Sequence, residues 1–167
     1  VHAVIQYIQY KWKAKGRHGT HSPFVYDFVE QVLMNKNPLK TGDLINCPTL
    51  ELKYENLLNR IAQHYGYHSI LQLPLTNDVM MAPSVDMMVL DNNVPTQWLH
   101  LYDQYSVFLE NESAVAVLGI HQSPEHSVAW SKLCKLEAVR MSMDMYGIGL
   151  LLFRKEFKER QHFILKY

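Results

Sequence analysis

The order of apolar and polar positions divides the chain into a helical first third and an alternating remainder. Over residues 2–15, Val4, Ile5, Ile8 and Trp12 recur at helical spacing and form one stripe with Tyr7 beside it. Lys11, Lys13 and Lys15 fall towards the end of that segment, where positive charge suits the helix dipole, and Gly16 ends it. Ser22-Pro23 reads as a cap followed by proline at the first helical position. Phe24, Val25, Phe28, Val29, Val32 and Leu33 give the second helix its buried face, and it stops before Asn37-Pro38. Residues 38–48 read as a loop. Thr49 is placed to cap a third helix carrying Leu50, Tyr54, Leu57, Leu58, Ile61 and Tyr65, with Gly66 as its stop.

From there the period changes. Residues 69–73 and 85–90 are short apolar strands, the second ending in Asp91. Pro95 opens a helix with Trp98, Leu101, Tyr102, Tyr105, Phe108 and Leu109 on one face. Residues 114–118 form a continuous apolar strand of the kind covered on both faces, and Ser123-Pro124 starts a further helix running to Leu136. Strand, helix, strand, helix predicts an α/β fold with a parallel sheet. Val139, Met141, Met143 and Met145 then alternate with Arg140, Ser142 and Asp144 before the unbroken apolar run 148–153, which predicts a hairpin closing a doubly wound sheet of about five strands. The chain reads as one compact unit, a helical extension over 1–48 and a reduced α/β domain over 49–167.

Composition narrows the class. With 167 residues, 48% of them apolar and 19% charged, the chain can bury a core without staples, which excludes disordered and low-complexity classes. Cys47 and Cys134 are too few and too far apart for a disulfide framework, a zinc site or a redox pair. Gln6 and Gln9 interrupt the stretch a signal peptide would keep apolar, and no run is long enough to span a membrane, so a cytoplasmic protein is expected. Net charge is zero but uneven: 1–40 hold six basic and two acidic residues, 41–130 two and ten, and 131–167 eight and four. That balance, with no nucleic-acid module, argues against a nucleic-acid partner.

Residues 13–27, Lys-Ala-Lys-Gly-Arg-His-Gly-Thr-His-Ser-Pro-Phe-Val-Tyr-Asp, carry a distinctive pattern, and so do 146–156 and 162–167 at the other end. Together with Ile120-His121, Ser123 and Ala129-Trp130 they resemble a bacterial group of class I S-adenosylmethionine-dependent methyltransferases, whose N-terminal signature is K-G-R-H-G-x-H-S-P-F-V-Y-D. The resemblance covers about three quarters of the chain. It implies a Rossmann-like fold with a terminal antiparallel hairpin and a cofactor cleft at the carboxyl ends of the strands.

The cofactor apparatus of that group is largely missing here. The first strand runs into Gln72-Leu73-Pro74-Leu75-Thr76-Asn77-Asp78 without a glycine, and Pro74 removes a backbone donor where a permissive turn is needed. The segment before Val85 is too short for the second and third strands of such a sheet. Leu118-Gly119 stands where the group has an acidic pair, whereas Asp91-Asn92-Asn93 matches its Asp-Gly-Asn. The resemblance therefore implies a degenerate, non-catalytic binding or scaffold protein with no cofactor. The alternative is an active methyltransferase that holds S-adenosylmethionine through Asn77, Asp78, Asp91 and Gly119. Arg17, His18, His21 and His121 are the other candidate site residues; no catalytic set and no metal-ligand spacing is present. Loss of two strands would leave the first strand as an apolar edge, to be covered by the N-terminal helices and residues 76–84 or by a second chain; a homodimer or a complex with another protein such as an intact methyltransferase is expected, with neither nucleic acid nor membrane as a partner.

Overall fold

The computed structural model describes residues 2–16, 21–35, 45, 50–75 and 83–167. Helices α1 (His2–Lys13), α2 (Pro23–Phe28) and α3 (Leu52–Tyr65) come first, α2 continuing into a π-helical turn over Val29–Leu33. Strands β1 (Ile70–Leu73) and β2 (Val85–Leu90), helix α4 (Trp98–Tyr105), strand β3 (Leu109–Leu118) and helix α5 (Pro124–Cys134) follow. Strands β4 (Met141–Asp144), β5 (Ile148–Leu152) and β6 (Gln161–Ile164) complete the chain. Local chemistry explains the boundaries. Ser22 and Ser123 cap helices that begin with proline, and Gly66 ends α3 in the left-handed conformation at φ +69°.

The strands form one six-stranded mixed sheet in the order β1-β2-β3-β5-β4-β6. β1, β2 and β3 are parallel, β5 runs antiparallel between β3 and β4, and β6 lies parallel to β4. The α/β class and the hairpin are as the pattern predicts. The strand count is six rather than about five, because the short, mixed run 161–164 pairs along β4.

Side chains alternate across the sheet and build two cores. Met87, Val89, Ala116, Met143 and Leu150 pack under α2 and α3, so the helical extension shares one core with the sheet. Leu71, Leu73, Met88, Leu90, Val117 and Leu151 pack under α4 and α5 with Trp98 and Trp130.

The structure corrects the end of the helix begun at Pro95 and settles two facings that the pattern left open. α1 turns Tyr10 and Ala14 inward and leaves the stripe of Val4, Ile5, Ile8 and Trp12 exposed. α4 stops at Tyr105 and a 3-10 turn leads into β3, which starts at Leu109 because Ser113 Oγ accepts from Glu110 N and donates to the Val85 carbonyl, bridging an irregular stretch of pairing. β4 alternates in sequence but is buried on both faces, with Ser142 bonded to His162 and Asp144 to His121 and Tyr146. The proposed Thr49 cap lies outside the described residues.

Candidate functional site

β2 and β3 are parallel neighbours that end at Leu90 and Leu118, so the residues after them emerge at one edge of the sheet. Parallel strands leave ligand-sized space at this carboxyl edge, where loops can supply polar groups. Here a cleft of about 460 Å³ opens, within the range of small-molecule sites. Its floor is Asn92, Gly119, His121 and Gln122. Its walls are mostly aromatic: Tyr7 and Tyr10 from α1, Tyr54 from α3, Tyr146 from the β4–β5 turn, and Tyr167. Glu51 and Lys53 pair at 3.3 Å on the rim.

The tyrosines are set by their own hydroxyls. Tyr10 donates to the Leu165 carbonyl at 2.6 Å and accepts from Tyr167 N, Tyr146 donates to the Ala3 carbonyl at 2.7 Å, and Tyr167 donates to the Lys53 carbonyl. Ring faces rather than hydroxyls therefore meet the cleft from these three. The Tyr146 ring lies 5.1 Å from Tyr7, 5.3 Å from Tyr10 and 5.7 Å from His121, at distances typical of aromatic clusters. Tyr146 itself has φ +67°, unusual for a bulky residue. Asp144 Oδ1 holds it there by accepting from Tyr146 N at 2.9 Å.

The other oxygen of Asp144 meets His121. His121 Nε2 lies 2.7 Å from Asp144 Oδ2, and both side chains are mostly buried, at 13% and 6% exposure. A proton on Nε2 serves that carboxylate, which leaves Nδ1 to accept from the Ser127 hydroxyl at 3.3 Å. Ser127 Oγ in turn lies 3.3 Å from His2 Nε2. Asp144, His121, Ser127 and His2 thus form one chain of hydrogen bonds behind the cleft.

The candidates from sequence separate on this geometry. Gly119 and His121 line the cleft. Asp91 sits beside it but caps its own turn, Oδ1 accepting from Asn93 N at 2.8 Å and Asn93 Nδ2 at 2.6 Å. His21 is exposed on the link before α2 and does not line the cleft. Arg17, His18, Asn77 and Asp78 lie outside the described residues. Among the described residues no group of three or more His, Cys, Asp or Glu could hold a metal ion. Sequence reasoning missed Asp144 and the five tyrosines; the hairpin alternation gives Asp144 the look of an outward polar position, and the tyrosines are spread from 7 to 167.

Burial gives the walls a pH signature. It pushes the Tyr10 hydroxyl up to about 12 and, at the end of α5, the Cys134 thiol to about 12, which leaves that thiol unreactive near neutrality. The folded state keeps these protons where the unfolded chain releases them, near pH 9 for the thiol and 10 for the phenol. The stability they contribute is intact below about pH 9 and is lost as pH rises towards 12. The urea midpoint followed by circular dichroism is expected to fall across that window, and Tyr10→Phe to remove part of the slope above pH 10. A flat midpoint from pH 9 to 12 contradicts the burial.

Compared with models of known protein families, with curated protein sequences and with solved structures, the chain matches none.

Proposed function

We propose that this chain is a degenerate relative of the class I methyltransferases that works by binding, in a reducing compartment such as the cytoplasm, and not by methyl transfer. The strand order supports the kinship: three parallel strands followed by an antiparallel hairpin strand inserted before its partner is the reduced form of that sheet, and only residues 74–84 link β1 to β2. The observation that carries the binding reading is the state of the cleft's acid–base groups. His121 uses both ring nitrogens, Asp144 uses both carboxylate oxygens and Glu51 is paired with Lys53, all with partners inside the chain. A base acts only on a proton it can reach, and the nitrogen of His121 that is left to accept is turned to Ser127, which does not line the cleft.

In this reading the chain holds no S-adenosylmethionine, and the two described candidate residues support that. A glycine at a strand end usually lets a cofactor approach the backbone. At Gly119 that space is filled by the chain itself: a Cβ there would meet Gln122 Oε1 at 2.8 Å and Asn92 Cβ at 2.9 Å. The glycine lets the Asn92–Gln122 hydrogen bond close over the strand end. Asp91, the other described candidate, is committed to Asn93.

In this reading the cleft takes a small ligand against its aromatic walls, and a second protein chain, a copy of this one or an intact methyltransferase, adds by backbone pairing at the β1 edge, whose Leu71 and Leu73 side chains are already buried within the chain. Calorimetric titration of the purified chain with S-adenosylmethionine and S-adenosylhomocysteine, beside an active methyltransferase, is the test. No heat and no thermal stabilisation at millimolar ligand is expected. Micromolar binding would overturn the proposal in favour of an active enzyme with an atypical cofactor site.

A further inference from the structure

The exposed stripe of α1 has no counterpart elsewhere on the described surface. Trp12 is 89% exposed, Val4 62%, Ile8 51% and Ile5 47%, and their spacing puts all four on one side of the helix. The opposite side is fixed to the body by Tyr10, Ala14 and the Tyr146 hydroxyl bond to Ala3. The stripe therefore faces away from a helix that is already docked, and burying it inside this fold would require undoing those contacts.

Charge indicates what covers it. Residues 2–16 contain Lys11, Lys13 and Lys15 and no acidic residue. The lysines cluster at the end of the helix that holds Trp12, so aliphatic side chains lead into an aromatic ring set among cations. Two alternatives fit this poorly. A second copy packed antiparallel on α1 would set Lys11 and Lys13 against a helix start that carries no acid. Twelve residues also span only about 18 Å, too short to bury the roughly 1,200 Å² of a stable interface. Nucleic acid would use the lysines but leaves Val4, Ile5 and Ile8 without a role.

Against the expectation from sequence that no membrane is a partner, we propose that α1 is an interfacial helix that docks this protein on an anionic lipid bilayer, with Val4, Ile5 and Ile8 entering the acyl boundary, Trp12 at headgroup depth and Lys11, Lys13 and Lys15 on the lipid phosphates. No described helix is long and apolar enough to cross a membrane, and lying on one requires only an apolar side and a basic flank. Attachment by one short helix is weak and reversible and depends on lipid charge and on salt.

The chain carries its own probe. Of its three tryptophans, Trp98 and Trp130 are buried and Trp12 is exposed, so an emission change on adding lipid reports on α1. The full chain is mixed with unilamellar vesicles of phosphatidylcholine alone or of phosphatidylcholine with phosphatidylserine, and emission and co-sedimentation are followed. The expected result is a blue shift and sedimentation with the anionic vesicles only, reversed by high salt. Ile8→Ser and the double variant Lys11→Glu/Lys13→Glu should each weaken partition about tenfold or more with melting temperature unchanged, since these side chains are exposed. Failure to bind anionic vesicles, or equal binding to both kinds, overturns the proposal. So does a Trp12 blue shift that follows protein concentration without lipid, which would make a second copy the occupant.

Discussion

Asp144→Ala is expected to lower stability by about 2–5 kcal/mol, because it strands two buried donors at once, each worth about 1–3 kcal/mol when left unpaired. His121 Nε2 loses the carboxylate 2.7 Å away, and Tyr146 N loses the oxygen that holds its backbone at φ +67°. Asp144→Asn should cost about half as much, since its remaining oxygen can still serve Tyr146 N and its amide cannot serve the imidazole N–H. Urea unfolding of Asp144→Ala, His121→Ala and the double variant separates the pair from its parts, with a coupling above about 1 kcal/mol expected for groups in one hydrogen-bond chain. Additive losses would mean that the two residues act independently. The Tyr146 ring should also leave its neighbours, so the aromatic near-ultraviolet signal should change in Asp144→Ala more than in Asp144→Asn.

The second large effect is expected at Gly149. This residue is the second of β5, between Val117 of β3 and Asp144 of β4, and the space of its missing side chain is filled by the Trp130 ring. A Cβ there would sit 2.5–2.8 Å from three ring carbons. In an open strand, alanine for glycine gains about 0.5–1 kcal/mol from the unfolded state. Here overpacking should reverse the sign, with Gly149→Ala losing about 1–3 kcal/mol. Trp130→Leu removes the clashing atoms, so on that background the same substitution should become neutral or stabilising. An equal loss on both backgrounds would exclude the ring as the cause.

These two positions mark how far the sequence could be read. The run 148–152 is recognisable as a strand because it is apolar throughout, and the glycine inside it signals close packing without naming the partner. Trp130 becomes that partner only once α5 lies across the sheet. At Asp144 the same reading fails: alternation with Met141, Met143 and Met145 gives an aspartate that should face water, and the imidazole that makes its burial tolerable is 23 residues away. His121 and Gly119 were legible because they follow a strong apolar strand, and residues at the carboxyl end of such a strand reach a cleft in any parallel sheet. The tyrosine walls were not, since no local pattern joins positions 7, 54, 146 and 167. In α1 the period reveals the helix but not which side turns inward. Val4, Ile5, Ile8 and Trp12 stay outside while Tyr10 turns in, because its hydroxyl can hydrogen-bond the backbone of residue 165 and, of the other four, only Trp12 has a polar group, its indole.

That last contact belongs to a wider junction. Lys15 N donates to the Ile164 carbonyl, Lys166 N donates to the Lys15 carbonyl, and Lys15 and Leu165 bridge in parallel. These partners are about 150 residues apart, and loop closure on that scale makes them late contacts in any folding sequence that begins with the local helices and the hairpin. During synthesis α1 leaves the ribosome well ahead of its seat, which is absent until residues 164–167 have followed. The cleft, which takes two of its walls from α1, is therefore completed only after residues 164–167 have been made, and the nascent chain passes through a stage in which β1 to β5 have been made and the site has not formed.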